Sequence, residues 1–346
     1  MRVVGWWASR CIGAPADRLP VMADAAVLAQ AWRGEVLEAV IRGHVAVVDH
    51  DGTIVASAGD PATLTTMRSG VKALQAQAFT ASAADTLGCP VAEVAIACAS
   101  HDGEPRHVET VRSLLHRAGL DESALLCGPQ QPFNRAAARD VIAAGLPFLP
   151  VHNNCSGKHA AMLATCAVEG WPLEGYADYG HPVQQAVRTA FRDVAGCDLN
   201  TAPSGIDGCG VPTYGVAVAA LAQALATAAR RSGFRRCQDA MAAEPFLIGG
   251  TGEFDTVLLE EFGADITGKS GGAAVWAGVL RPVGPGIAVK LEAGAGEYLA
   301  PVVTAVLQAL DAVPAALPEP LRRFARPILR NLANADVGVV VSCVQL

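Results

Sequence analysis

Charged side chains are scarce: they make up 17% of the 346 residues, and nowhere do six of one sign run together. That scarcity excludes a charged interaction tail and a disordered chain, since disorder goes with few apolar residues and high net charge. The formal charge of −7 argues against a dedicated nucleic-acid binder, which would carry a basic face. No internal repeat and no low-complexity linker interrupts the chain. The ten cysteines follow no regular framework, which in a chain this long suits reduced thiols of a cytoplasmic protein. The N-terminal MRVVGWWASRCIGAPADRL has too short an apolar core for a secretory signal, and residues 1–34 read as an extension. One stretch, YGVAVAALAQALATAARR from Tyr214, raises a membrane question. Its apolar content is mostly alanine, it contains Gln223 and it follows Pro212, so a buried core helix is expected and no membrane span.

What is abundant is apolar: 51% of the chain, enough for a large core over one domain, residues 35–346. Val40–Asp60 reads as a hairpin, two β-branched runs around an Asp-Gly turn. Ser69–Gly88 has helical apolar spacing and a glycine end, and Val91–Cys98 reads as a short apolar strand entering a loop at Ser100. Arg106–Leu120 is an amphipathic helix, Gly128–Leu149 is looser and punctuated by proline, and Pro182 starts another helix. Asp265–Leu280 and Pro285–Gly294 read as two neighbouring strands, followed by a helix over Glu297–Ala312. Strands at both ends around a helical middle predict an α+β sandwich of antiparallel sheet and helices, with the helical part inserted.

Four groups of residues can carry chemistry. In RSGVK, Ser69 and Lys72 stand three apart at a helix start, the S-x-x-K spacing in which an unprotonated lysine takes a serine proton. Ordinary capping with a solvated lysine is the plain alternative. Ser100 opens a polar loop with His101, Asp102, Gly103 and Glu104, where it is a second nucleophile, a proton relay or a turn residue; His101 and His107 are bases or surface histidines. In HNNCSGKHAAML, Cys155, Lys158 and His159 share one helical face, and GIDGCG brings Asp207 and Cys209 on a flexible turn. A metal site, a cysteine nucleophile with His159 as base, and buried structural thiols all remain open. Lys269 and Lys290 sit on strands beside glycines, where either is placed to face a serine across a cleft or to lie in solvent.

RGHVAVVD, RSGVK, ASHDGE, HNNCSGKHAAML and GIDGCGVPTYGVA, in this order from Glu35 to the C-terminus, resemble the L-asparaginase II family of the rhizobial type. The resemblance implies a fold similar to serine β-lactamases, penicillin-binding proteins and the related glutaminases. It also implies hydrolysis of L-asparagine to L-aspartate and ammonia by two Ser-Lys tandems, Ser69 with Lys72 and Ser100 with Lys269. A zinc ion on Cys155, Lys158 and Cys209 is implied too, with His159 and Asp207 near substrate or metal-bound water and Arg68 on the substrate carboxylate. A homodimer with a small-molecule substrate is the implied assembly. Two departures from the family pattern stand out: Ala73 follows Lys72 where proline is expected, and Gly271–Ala274 lacks an expected acid. Another amide substrate, glutamine-like, or a zinc-binding homologue without turnover are the alternatives.

Overall fold

The computed structural model describes residues 24–346; the N-terminal stretch weighed above as a signal lies almost wholly outside them. Along the chain the strands are β1 (Ala26–Arg33), β2 (Val36–Val48), β3 (Ile54–Ala58), β4 (Leu64–Thr66), β5 (Ser204–Ile206), β6 (Pro212–Ala217), β7 (Ile266–Gly271), β8 (Val275–Leu280), β9 (Gly286–Leu291), β10 (Ile328–Arg330) and β11 (Asp336–Ser342). Eight of them form an antiparallel sheet in the order β10-β11-β1-β2-β9-β8-β7, with β3 added to β2, and β4-β6-β5 form a small second sheet. Because β1 pairs with both β2 and β11, the boundary expected at residue 34 falls inside the sheet, and Ala26–Arg33 belongs to the domain.

Side chains alternate across a strand, and here both faces of the sheet are buried. Ala46, Val48, Val275, Ala277 and Ala288 face one core; Val45, Val47, Trp276, Ile287 and Val289 face the other. The first core is completed by the helical middle of the chain, which departs after β3 and returns at β7. The second is completed by the helices Phe254–Phe262, Leu299–Ala309 and Glu319–Ala325. This is the expected α+β sandwich with its inserted helical part. The alanine-rich segment after Tyr214 becomes the helix Val218–Ala229 on the sheet, so close that a Cβ on Gly286 would stand 1.9 Å from the Ala222 carbonyl. Small side chains permit that approach, and among the described residues no helix is long and apolar enough to cross a membrane.

Several local readings change. The β2–β3 hairpin forms as expected, but Val91–Ala97 is a helix and not a strand. A short apolar run of 7 residues carries no period that separates the two states. The single helix expected over Ser69–Gly88 is instead a chain of one-turn pieces, Arg68–Val71, Lys72–Gln75, Gln77–Thr80 and Ala83–Thr86. The loose segment before Leu149 contains the helix Arg135–Ala143, started by Asn134 Oδ1 accepting from the amides of Ala136 and Ala137. Asp265–Gly294 holds three strands, not two.

Gly157 shows why glycine stands in the Cys155–Lys158 motif. A Cβ there would lie 2.2 Å from the Ile96 carbonyl, where Val91–Ala97 ends against the helix Ser156–Glu169. Alanine would gain about 1 kcal/mol of helix propensity, yet the backbone overlap costs more, typically ~1–3 kcal/mol of strain. Gly157→Ala is therefore expected to lower the urea midpoint, and a midpoint at or above wild type would refute this packing.

Candidate active site

Several segments open onto one cleft of about 470 Å³. Arg68, Ser69, Ser100, Cys155, Asp207, Cys209 and Lys269 all line it, so residues spread over two hundred positions meet at one place. Asn153 organises the floor. Its Oδ1 accepts from the Cys155 amide at 2.9 Å, and its Nδ2 donates to the carbonyls of Cys127 at 2.8 Å and Gly128 at 3.2 Å.

The two serines differ. Ser69 Oγ makes no hydrogen bond and stays open to the cleft, whereas Ser100 Oγ is sealed and has no partner. Arg68, next to Ser69, holds φ +44°, a left-handed backbone that costs an ordinary side chain roughly 1–3 kcal/mol and is typical of functional turns. The paired glycines of the next strand accommodate this turn. A Cβ on Gly271 would meet the Ser69 amide nitrogen at 2.9 Å, and one on Gly272 the Arg68 guanidinium at 2.6 Å. The sequence departure at Gly271–Gly272 is thus a packing requirement of the Arg68–Ser69 turn. Arg68 Nε lies 2.9 Å from Asp207 Oδ1, a charge contact whose angle is too poor for a hydrogen bond, so Nε keeps a free N–H.

Lys72 is buried behind the cleft. It donates to the Ala99 carbonyl and lies 3.2 Å from Cys155 Sγ, and no hydrogen bond joins it to Ser69. Burial disfavours its charge and lowers its pKa. Lys269 faces the cleft and pairs with Asp255 Oδ2 at 3.0 Å; both are nearly fully buried. Asp255 also accepts from the Ser270 amide at 2.7 Å and from its hydroxyl at 2.8 Å. Lys290 is not among the cleft residues and donates to the Ala273 carbonyl, so of the two late lysines only Lys269 faces the serines. Sequence reading missed Asp255, which carries no motif of its own and reaches Lys269 only through folding.

Cys155, Lys158 and Cys209 meet, with Lys158 Nζ 3.1 Å from Cys209 Sγ. The two thiols share a proton. Cys155 keeps it, pushed up to about 12 by its hydrogen bond to Cys209 and by burial. Cys209 is drawn down to about 4 by that same hydrogen bond, against burial and with help from the Lys158 ammonium. Burial opposes the charge on Lys158, but the sulfurs of Cys209 and Cys155 prevail and raise its pKa. His159 does not reach the cleft. Its Nδ1 lies 2.7 Å from the Tyr176 hydroxyl, its Nε2 is buried without a partner, and burial, then Lys158, pulls its pKa down to about 3. No hydrogen bond links it to Cys155, so a Cys-His nucleophile pair is not formed.

His101 and His107 are not surface groups either. His101 Nδ1 accepts from the Gly103 amide, which puts the ring proton on Nε2, facing Ser156 Oγ at 2.9 Å; His107 Nδ1 accepts from the Glu104 amide. Burial is the main cause that lowers both pKa values. The unfolded chain therefore binds their protons first, below about 6.5, and stability present at neutral pH is lost as pH falls from there toward the folded values. The unfolding free energy from urea titration is expected to drop between pH 6.5 and 5, by up to about 3 kcal/mol per pH unit for the two rings together. A flat profile over that range would mean that the rings ionise in place.

The family model for L-asparaginase II matches residues 29–342. The chain belongs to the L-asparaginase II family. Family membership makes it an amidohydrolase. Among solved structures it is similar to a protein described as Mglu in its native form, with 13% identity, TM-score 0.42, 84% of this chain and 69% of that one covered. It is also similar to a Bacillus glutaminase crystallised in 4.3 M NaCl, with 14% identity, TM-score 0.39, and coverage of 78% and 91%. No curated protein sequence matches. Among the described residues no three His, Cys, Asp or Glu side chains are placed to hold a metal ion. The sulfurs of Cys209 and Cys155 and the Lys158 amine would make a donor set that suits zinc once the lysine has lost its proton.

Proposed function

We propose that the protein is an L-asparagine amidohydrolase, releasing L-aspartate and ammonia. The observation that carries this is the cleft itself: an open serine hydroxyl, a second serine, a buried lysine-carboxylate pair and an arginine line one cavity of about 470 Å³. Ser69 attacks the side-chain amide carbon, and its proton passes to Lys72, whose burial favours the neutral amine. Ser100 relays the proton to the departing ammonia, and water then cleaves the Ser69 ester. Lys269, held by Asp255, supplies positive charge for the oxyanion. Arg68 takes the substrate carboxylate. Zinc held by Cys155, Lys158 and Cys209 would add a positive charge that orients the substrate from the cleft wall. A cytoplasmic homodimer is the setting that accords with the reduced cysteines and with the family resemblance.

Ammonia release from L-asparagine beside L-glutamine tests the reading directly. Turnover of asparagine at a kcat/KM at least tenfold above glutamine is the expected result. Glutamine turnover alone would transfer the same chemistry to the longer amide. No turnover of either, with zinc bound, would overturn the reading.

A further inference from the structure

Four carboxylates line the cleft, Asp102, Asp207, Glu253 and Asp255, and the fold has matched two of them. Asp207 lies against the Arg68 guanidinium, and Asp255 accepts from the Lys269 amine, the Ser270 amide and the Ser270 hydroxyl. Asp102 and Glu253 are left over. Among the described residues the one hydrogen bond of either side chain is to the other. The chemistry above uses neither.

The two come from loops that are tied together. The amides of Ser100 and Asp102 donate to the carbonyls of Ile248 at 3.1 Å and Gly249 at 2.8 Å. A Cβ on Gly250 would stand 3.0 Å from the Asp102 Cβ. A third loop joins them where the Asn134 amide donates to the Asp102 carbonyl at 3.1 Å. Glu104, the other acid of this corner, is not free, because Thr251 donates to both of its oxygens. Lys269 is the cation that acts most on Asp102 and Glu253, and its charge is already matched by Asp255. Arg68 stands on the other side of the cleft, against Asp207 and Gly272.

This corner therefore carries negative charge without a cation, and the pair holds one proton in its place. Burial, then Glu253 and Glu104, push Asp102 up to about 7, and burial with Asp255 raises Glu253. Ser69 gives an independent sign that a ligand belongs here. It is 9% exposed, yet its hydroxyl opens into the cleft with no partner among the described residues. An amino-acid amide brings a carboxylate, assigned above to Arg68, and an ammonium that no group has yet received. The three N–H donors of an ammonium match two adjacent carboxylates in charge and in number of acceptors.

We infer that Asp102 and Glu253 form the subsite for the α-ammonium of the amino-acid amide, across the cleft from Arg68. This rests on the amidohydrolase reading of the same cleft. It makes the enzyme select amides carried by a zwitterion, because an amide without the ammonium leaves the acidic pair unmatched.

The test uses the zinc-loaded protein with Glu253→Gln and Asp102→Asn, each of which keeps the shape and removes a charge. L-Asparagine is compared with succinamate, the same molecule without its ammonium. L-Aspartate and succinate, which differ by the same group, are compared by calorimetry, a readout that needs no turnover. In Glu253→Gln the preference for asparagine over succinamate is expected to fall at least tenfold, in KM more than in kcat. Zinc content stays unchanged and the melting temperature is not lowered. Asp102→Asn moves the preference in the same direction, and both variants lose the preference for aspartate over succinate. Equal losses on the two amides, or an unchanged preference in both variants, would overturn the subsite while hydrolysis stands. If wild type releases no ammonia yet prefers aspartate to succinate, and the variants lose that preference, the hydrolytic reading fails and this assignment stands.

Discussion

Ser69→Ala is expected to cut L-asparagine turnover by on the order of 10³-fold or more in kcat, while zinc content and melting temperature stay at wild-type values. The size follows from the role. Removing a nucleophile leaves only binding and charge stabilisation, whereas removing a residue that merely shapes the pocket changes KM. The choice of Ser69 over Ser100 rests on access. Ser69 Oγ is free and open to the cleft, and Ser100 Oγ is sealed, so Ser100 meets substrate only through a proton it passes on. Ser100→Ala should therefore slow turnover less than Ser69→Ala. If the order is reversed, with trapped ester on Ser100 seen by mass spectrometry, the two serines exchange roles. If Ser69→Ala retains wild-type turnover, serine chemistry at this turn is wrong.

Cys209→Ala has the largest expected effect on the protein itself. Lys158 is 2% exposed, and the Cys209 sulfur is the acceptor 3.1 Å from its amine. Taking that sulfur away leaves a buried ammonium without its hydrogen-bond acceptor, with Cys155 and Asp207 the remaining acidic groups beside it. Breaking a buried charge pair by removing one partner costs about 3–5 kcal/mol, more than a methyl-for-thiol change would by packing alone. The zinc-binding set loses a donor at the same time. A fall of this size in unfolding free energy, together with zinc lost by elemental analysis, is the expected pair of results. Cys209→Ser separates the two effects: the hydroxyl still accepts from Lys158 and restores part of the stability, while zinc binding stays weak because a neutral hydroxyl is a poor ligand. Full zinc content in Cys209→Ala would remove Cys209 from the metal set.

The strength of each local sequence signal decided how much of the molecule was legible before folding. The hairpin at Val40–Asp60, the amphipathic helix after Pro105 and the proline-started helix after His181 each carry a turn residue, a cap or a clean period, and each forms. The motifs around Ser69, Ser100, Cys155 and Cys209 were legible because unusual residue types stand close together in the chain. They also sufficed to name the family. The short apolar runs failed: Val91–Ala97 has 7 residues, too few for a period to choose between helix and strand. Folding alone placed Lys72 against Cys155, and brought Asp255 to Lys269. It turned His159 toward Tyr176, away from the cleft. Spacing along a chain limits which side chains share a face. Which of them share a cavity, and which stay unpaired in it, depends on contacts between segments far apart, set by packing on both sides of one sheet.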